Sequence, residues 1–519
     1  DSPRRVVVPT VNDTSKKADI NRDSLFRVAD SLKKLTADSA RVVAGKPPAK
    51  TPAKKPAKQC VLNTDESPET ARFTYARQND SSSNLMVGGG FVGFCEGEKN
   101  KLKADSSEYY EQTGYVNLFG NVTYEDKGEF RVTANHATYF IKEGKLYADG
   151  NVQATQLKSG SLFVGPKIEY SRVMEGIRTT SLLYAPNNPL VQIEQKDSVG
   201  KPLPPVKVSA SVMQDTGDSL LVAWGNVAIL RTDVTGKSDS ASYYKPTGNA
   251  RLIRAANIQS TSKEQPFTLS GDTIDLFTRD SVLDRVLAKH LSKAKSGDVN
   301  MSAEMIDMRL IDKKIDRAYA YGPGRAKADT KDRNLEADSL DILLPNQLLR
   351  EFRAFGTAVI ISKPDPEKIK SEEDDVLRGD SVFAQFDSVK AKGDTVAKTQ
   401  IKKVTAHGNA SSKVQIASRQ GPLFPPAINY IRGKHLVVRF DSGQVREIAV
   451  DSSASGSYYE PVQDSTLDTT KTKKPKKPPT ISKVNPNSPS LPDLPSREPT
   501  QVWSRASIAL LPPRNPRTR

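Results

Sequence analysis

The cysteines and histidines of this 519-residue chain, the side chains best suited to ligate a transition metal, number six: Cys60, Cys95, His136, His290, His407 and His435. None falls into the short spacings that build a zinc site or attach a haem. Two readings of the cysteines stand side by side. A Cys60–Cys95 disulfide would suit an oxidising compartment and pin the start of the folded body, and two buried free thiols would pack as small hydrophobes. Gly88-Gly89-Gly90 lacks the lysine and hydroxyl of a phosphate loop. Neither a GxSxG nor an HExxH motif occurs. The many Asp and Glu side chains gather at recurring corners, where backbone capping accounts for them. The sequence therefore predicts no enzyme, no catalytic residue, no metal and no cofactor.

The elements that would carry any site divide into three parts. Residues 1–60 carry a balance of +8 and residues 461–519 one of +7, which leaves the 400 residues between them at +1 out of a total of +16. A nucleic-acid reader would place its positive patch on the folded part, so that class is disfavoured. Residues 1–59 form a basic arm. Within it Leu25, Val28, Leu32 and Leu35 share one face of an expected helix over 23–43, and a Lys/Pro/Ala linker follows. Residues 461–519 read as a disordered Lys/Pro/Ser-rich tail. The basic flanks could touch anionic headgroups. The longest apolar run, Leu220 to Leu230, is about half of what a membrane-spanning helix needs. The chain opens on Asp1, consistent with a removed export signal.

Residues 60–460 alternate in polarity over short runs rich in Val, Thr, Ile, Tyr and Phe. A repeat organises them. Its first half is a small residue, a polar one, then alternating apolar positions. It appears as Ala104-Asp105, Ala134-Asn135-His136-Ala137-Thr138-Tyr139, Gly271-Asp272-Thr273-Ile274, Ala303-Glu304-Met305-Ile306 and Ala337-Asp338-Ser339-Leu340. Its second half is an aliphatic strand reaching a glycine, as in Leu118-Phe119-Gly120-Asn121-Val122, Asp149-Gly150-Asn151-Val152 and Trp224-Gly225-Asn226-Val227. Each unit predicts a strand, a turn, a second strand and a glycine corner. One unit cannot bury its apolar stripe, but a stack with two facing sheets can. At about 12 residues per strand, some 33 strands shared between two sheets would make a rod of roughly 75 Å.

The Ala-x-x-Ala-x-Tyr … Gly-Asn-Val unit, clearest from Phe130 to Val152, resembles the OstA/LptA family of periplasmic lipopolysaccharide-transport proteins. The resemblance spans roughly residues 70–460 and is strongest at 102–155. It implies an all-β fold: an elongated, repetitive, open β-jellyroll of two facing antiparallel sheets, folded like a taco. It further implies a periplasmic, non-enzymatic carrier or bridge that holds acyl chains of lipopolysaccharide, or a similar multi-acyl lipid, in an apolar groove. Such protomers join other jellyroll proteins end to end by strand pairing. The β region here is more than twice the usual length, and no outer-membrane barrel follows Pro461.

Strand parity selects the groove candidates. They are Leu118, Val122, Tyr124, Phe130, Val132, Ala137, Tyr139, Leu146 and Val152, then Trp224, Val227, Ile274, Leu276, Ile306, Met308, Leu340 and Ile342. Parity alone does not distinguish an open groove from a sealed core. Two other classes share the repetition: a structural envelope or surface scaffold with a closed core, and a β-helix enzyme degrading polysaccharide.

Overall fold

The computed structural model describes residues 62–461, apart from 80–81, 96–99, 127, 198, 262–265, 298, 346–347, 390–397, 419–420, 422 and 442–443. The expected helix at 23–43, the linker, Cys60 and the tail lie outside the described residues. The described chain is all-β, as the alternation predicts, with thirty antiparallel strands and no helix among the described residues.

The strands do not run straight. Tyr115–Asp126 pairs with Phe130–Phe140 in two segments, and the register slips between Phe119 and Val122. The same slip recurs between Thr133 and His136, Trp224 and Val227, Ile253 and Ala256, Phe355 and Ala358, and His407 and Ala410. At each slip the chain turns a corner. Gly120 and Asn121 both adopt positive φ, as do Gly150 and Asn151, Gly225 and Asn226, and Gly408 and Asn409. Glycine and asparagine tolerate that conformation best, which is why the repeat reads Gly-Asn.

The two halves of the repeat meet at this corner. A Cβ on Gly120 would lie 2.3 Å from Asp105 Oδ2, and Asn121 Nδ2 donates to the same oxygen over 2.9 Å. A Cβ on Gly356 or Gly408 would likewise lie 2.0 Å from Asp338 Oδ2 or 2.2 Å from Asp380 Oδ2, and one on Gly150 would lie 2.9 Å from Asn135 Cβ. The small-plus-Asp/Asn half and the glycine half are thus successive strands crossing one continuous line of corners, and the spacing between the halves is one hairpin.

The corners fold the ladder into two leaves. Leaf A holds 115–119, 136–140, 145–149, 167–171 and their successors. Leaf B holds 122–126, 130–134, 152–156, 162–165 and theirs. The leaves face each other: the Tyr124 ring of leaf B lies 5.5 Å from Tyr139 and 5.7 Å from Tyr170 of leaf A, each tilted, and Phe130 lies 5.2 Å from Tyr170. Because each long strand supplies a rung to both leaves, each leaf has some 22 rungs, about 100 Å at ~4.8 Å per rung. The 75 Å expectation fell short because it assigned every strand to one sheet only. A single core runs between the leaves from Val87 to Val438.

Candidate functional site

The candidate site is the space between the leaves. Sixteen of the seventeen parity-selected residues are buried there: Leu118, Val122, Tyr124, Phe130, Val132, Ala137, Tyr139, Leu146, Val152, Val227, Ile274, Leu276, Ile306, Met308, Leu340 and Ile342. Trp224 is the correction. It is half-buried, and Ala223 takes the interior position beside it. The residue next to Gly225 sits at the corner, where the leaves converge and alanine fits the inner side.

From Phe91 to Leu276 the inward-facing side chains pack together, with Tyr124, Phe130, Tyr139 and Phe163 among those fully buried. Between Ile193, Val208, Leu221, Ala241 and Tyr243 there is an apolar cavity of only ≈ 30 Å³. The ends differ. Phe73 and Tyr75 pair with the inward-facing Val87 and Leu85, yet they are 43% and 69% exposed, and among the described residues no further strand pairs beyond theirs. At the other end Ile431, Phe440, Ile448 and Val450 pack on the core but stay half-buried, and Tyr458 is 56% exposed. The apolar interior therefore reaches solvent at both terminal rungs. Among the described residues, the strands there, Arg72–Asn79 at one end and Gln444–Asp451 and Ser455–Tyr459 at the other, each pair on one side only.

Opposite the corners, polar side chains bridge the rims of the leaves. Tyr170 donates to Asp126 over 2.9 Å, and Ser181 to Glu129 over 3.2 Å. Gln156 Nε2 donates to Gly217 O and Asp218 Oδ1 over 3.2 and 2.9 Å, and Lys158 joins Glu129 to Asp218. Arg231, clamped on Asp233, reaches Ser281 O over 3.3 Å. Asn100 donates to Tyr139 Oη over 2.9 Å, and buried Arg172 donates to the same oxygen. Burial, then the carboxylates at Asp126 and Glu129, holds the Tyr170 phenol far above its ordinary range.

Behind these bridges Lys245 Nζ lies 2.6 Å from Asp215 Oδ1 and donates to Gly217 O and Gln156 Oε1. Neither Asp215 oxygen has an aligned hydrogen bond, and both are fully buried. Burial pushes the Asp215 carboxyl up to about 6 against the pull of Lys245. Rim pairs such as Tyr170–Asp126, Gln156–Asp218 and Lys245–Gln156 carry no sequence signal, because the partners lie 44 to 89 positions apart.

The outer face of leaf A carries a second polar series. Asp275, Asp307 and Asp341 are nearly buried beneath arginines: Arg251 to Asp275 at 2.5 Å, Arg285 to Asp307 at 2.7 Å and Arg317 to Asp341 at 2.6 Å. Burial opposes ionisation of Asp275, but Arg251 and Lys289 outweigh it and hold its carboxyl below the usual range. Among the described residues no group of three or more metal-ligating side chains converges. No described helix is long and apolar enough to cross a membrane. Cys95 is disulfide-bonded; the sequence holds one other cysteine, Cys60. No protein-family model matches the chain, and no curated protein matches it.

Proposed function

We propose that the protein is a non-enzymatic carrier or bridge for a multi-acyl lipid such as lipopolysaccharide, which holds acyl chains between its two leaves in the periplasm. The observation that carries this reading is the apolar interior reaching solvent at both ends through Phe73, Tyr75, Phe440, Val450 and Tyr458. Inward-facing rings left exposed at both described ends suit an interior that takes up apolar chains or continues into a neighbour. The free edges beside them suit strand addition, which would join one apolar interior to the next.

The energetics are consistent with a filled resting interior. Each buried CH₂ is worth roughly 0.8 kcal/mol, so a 12-carbon chain gains about 10 kcal/mol. A rim hydrogen bond contributes about 0.5–1.5 kcal/mol net. One chain entering between the leaves therefore offsets the loss of several rim bonds. The experiment is purification of the full chain from a Gram-negative envelope, followed by mass spectrometry of extracted lipid. The carrier reading expects acyl lipid in near-stoichiometric amount.

A second reading is a structural envelope scaffold. The close packing from Phe91 to Leu276 and the bridged rims favour it. Under that reading no lipid co-purifies, and the exposed end residues serve only to join protomers.

A further inference from the structure

All four histidines stand at or beside corners, on the outer side of the ladder. His136 lies 3.5 Å from Asp149 and His290 lies 2.7 Å from Glu304, each as a simple imidazole–carboxylate pair. The other two differ. His407 and His435 are register partners on neighbouring strands, and their Nδ1 atoms are 2.9 Å apart. Two nitrogens bound at 2.0–2.1 Å and at right angles to one cation stand about 2.9 Å from each other, whereas a tetrahedral angle would spread them to about 3.4 Å. The observed separation, which a hydrogen bond between the rings also gives, matches the bite of two cis ligands in a tetragonal site, the geometry of Cu²⁺ and Ni²⁺.

The surroundings fix the pair in place. Phe355, Phe383, His407 and His435 form one aromatic column, with ring centroids 5.5, 5.4 and 5.0 Å apart in order. Beside His407 opens a concavity of ≈ 500 Å³, lined in part by Phe383, Thr405 and Lys403, which leaves room for water at the remaining coordination positions.

We propose that His407 and His435 form a surface site for a tetragonal divalent cation, Cu²⁺ or Ni²⁺, bound through two cis imidazole nitrogens and completed by water. This site is independent of the lipid reading and lies on the opposite face of the leaf. The test is Cu²⁺ titration of the tag-free, chelator-treated full chain, followed by calorimetry and electron paramagnetic resonance. The expected result is one equivalent bound, with hyperfine structure from two nitrogens. His407→Phe keeps the aromatic column and should weaken binding at least tenfold, as should His435→Gln. His136→Ala and His290→Ala should leave that equivalent unchanged. If the His407→Phe and His435→Gln proteins bind Cu²⁺ as tightly as the parent, or the parent binds none, the close approach is only an imidazole–imidazole hydrogen bond and the proposal fails. Circular dichroism of each variant separates lost binding from lost folding.

Discussion

Tyr170 on leaf A donates a 2.9 Å hydrogen bond to Asp126 on leaf B and so ties together two rims that no backbone ladder joins. The corner side of the molecule is covalent and continuous, whereas the rim side is held by side chains. Any separation of the leaves must therefore begin at bonds such as this one.

A buried rim bridge is Gln156, which serves Gly217, Asp218, Ser159 and Lys245 at once. Gln156→Ala strands several of those groups and should cost about 1–3 kcal/mol in urea unfolding. It should also raise the uptake of an apolar fluorescent probe. Unchanged stability would mean that the rims are not held by this network.

The buried carboxyl of Asp215, pushed up to about 6, predicts a pH effect with a defined sign. It binds its proton more tightly in the folded chain than in the unfolded one. Its contribution is therefore full below about pH 4 and is lost as pH rises through about 6. The stability of the parent relative to Asp215→Asn should rise as pH falls from 7.5 to 5, read from unfolding midpoints at each pH. A difference that stays flat over that range contradicts the assignment.

The corners make a sharper prediction. A Cβ at Gly356 would fall 2.0 Å from Asp338 Oδ2 at φ +80°, whereas one at Gly128, φ +90°, meets nothing within 4 Å. Gly128→Ala should cost only the left-handed backbone penalty, about 1–2 kcal/mol. Gly356→Ala adds a steric clash and should lower the thermal midpoint further. Equal effects would show that the Asp–Gly contact does not set the corner.

These corners are also where the sequence is most legible. Ala134-Asn135 and Gly150-Asn151 announce themselves because the backbone there admits few residue types. The alternation around them then places Ala137, Tyr139 and Val152 inward. Trp224 misled because parity was counted from the residue touching the glycine: as with Leu118 before Phe119-Gly120, the inward position is one residue earlier, at Ala223. The rim was illegible for a different reason: polar pairs such as Gln156–Asp218 obey no period, so only the folded chain brings them together. The His407–His435 pair was hidden likewise, 28 residues apart with no ligand motif between them.

Outer-face aromatics supply a control for the carrier reading. Phe119 and Tyr147 are exposed to a similar degree as Phe73 but face away from the interior. Paired Phe73→Asp and Tyr75→Asp changes should reduce lipid recovered with the purified chain severalfold. Phe119→Ser with Tyr147→Ser should not. Equal loss in both variants would point to nonspecific surface adhesion.

The most direct measurement places a photo-crosslinking amino acid at Phe440, inside the half-open end, and at Tyr147 on the outer face, in the full chain exposed to radiolabelled lipopolysaccharide. The account predicts a lipid adduct from position 440 and none from position 147. Equal labelling at the two positions, or no adduct at either, would contradict it.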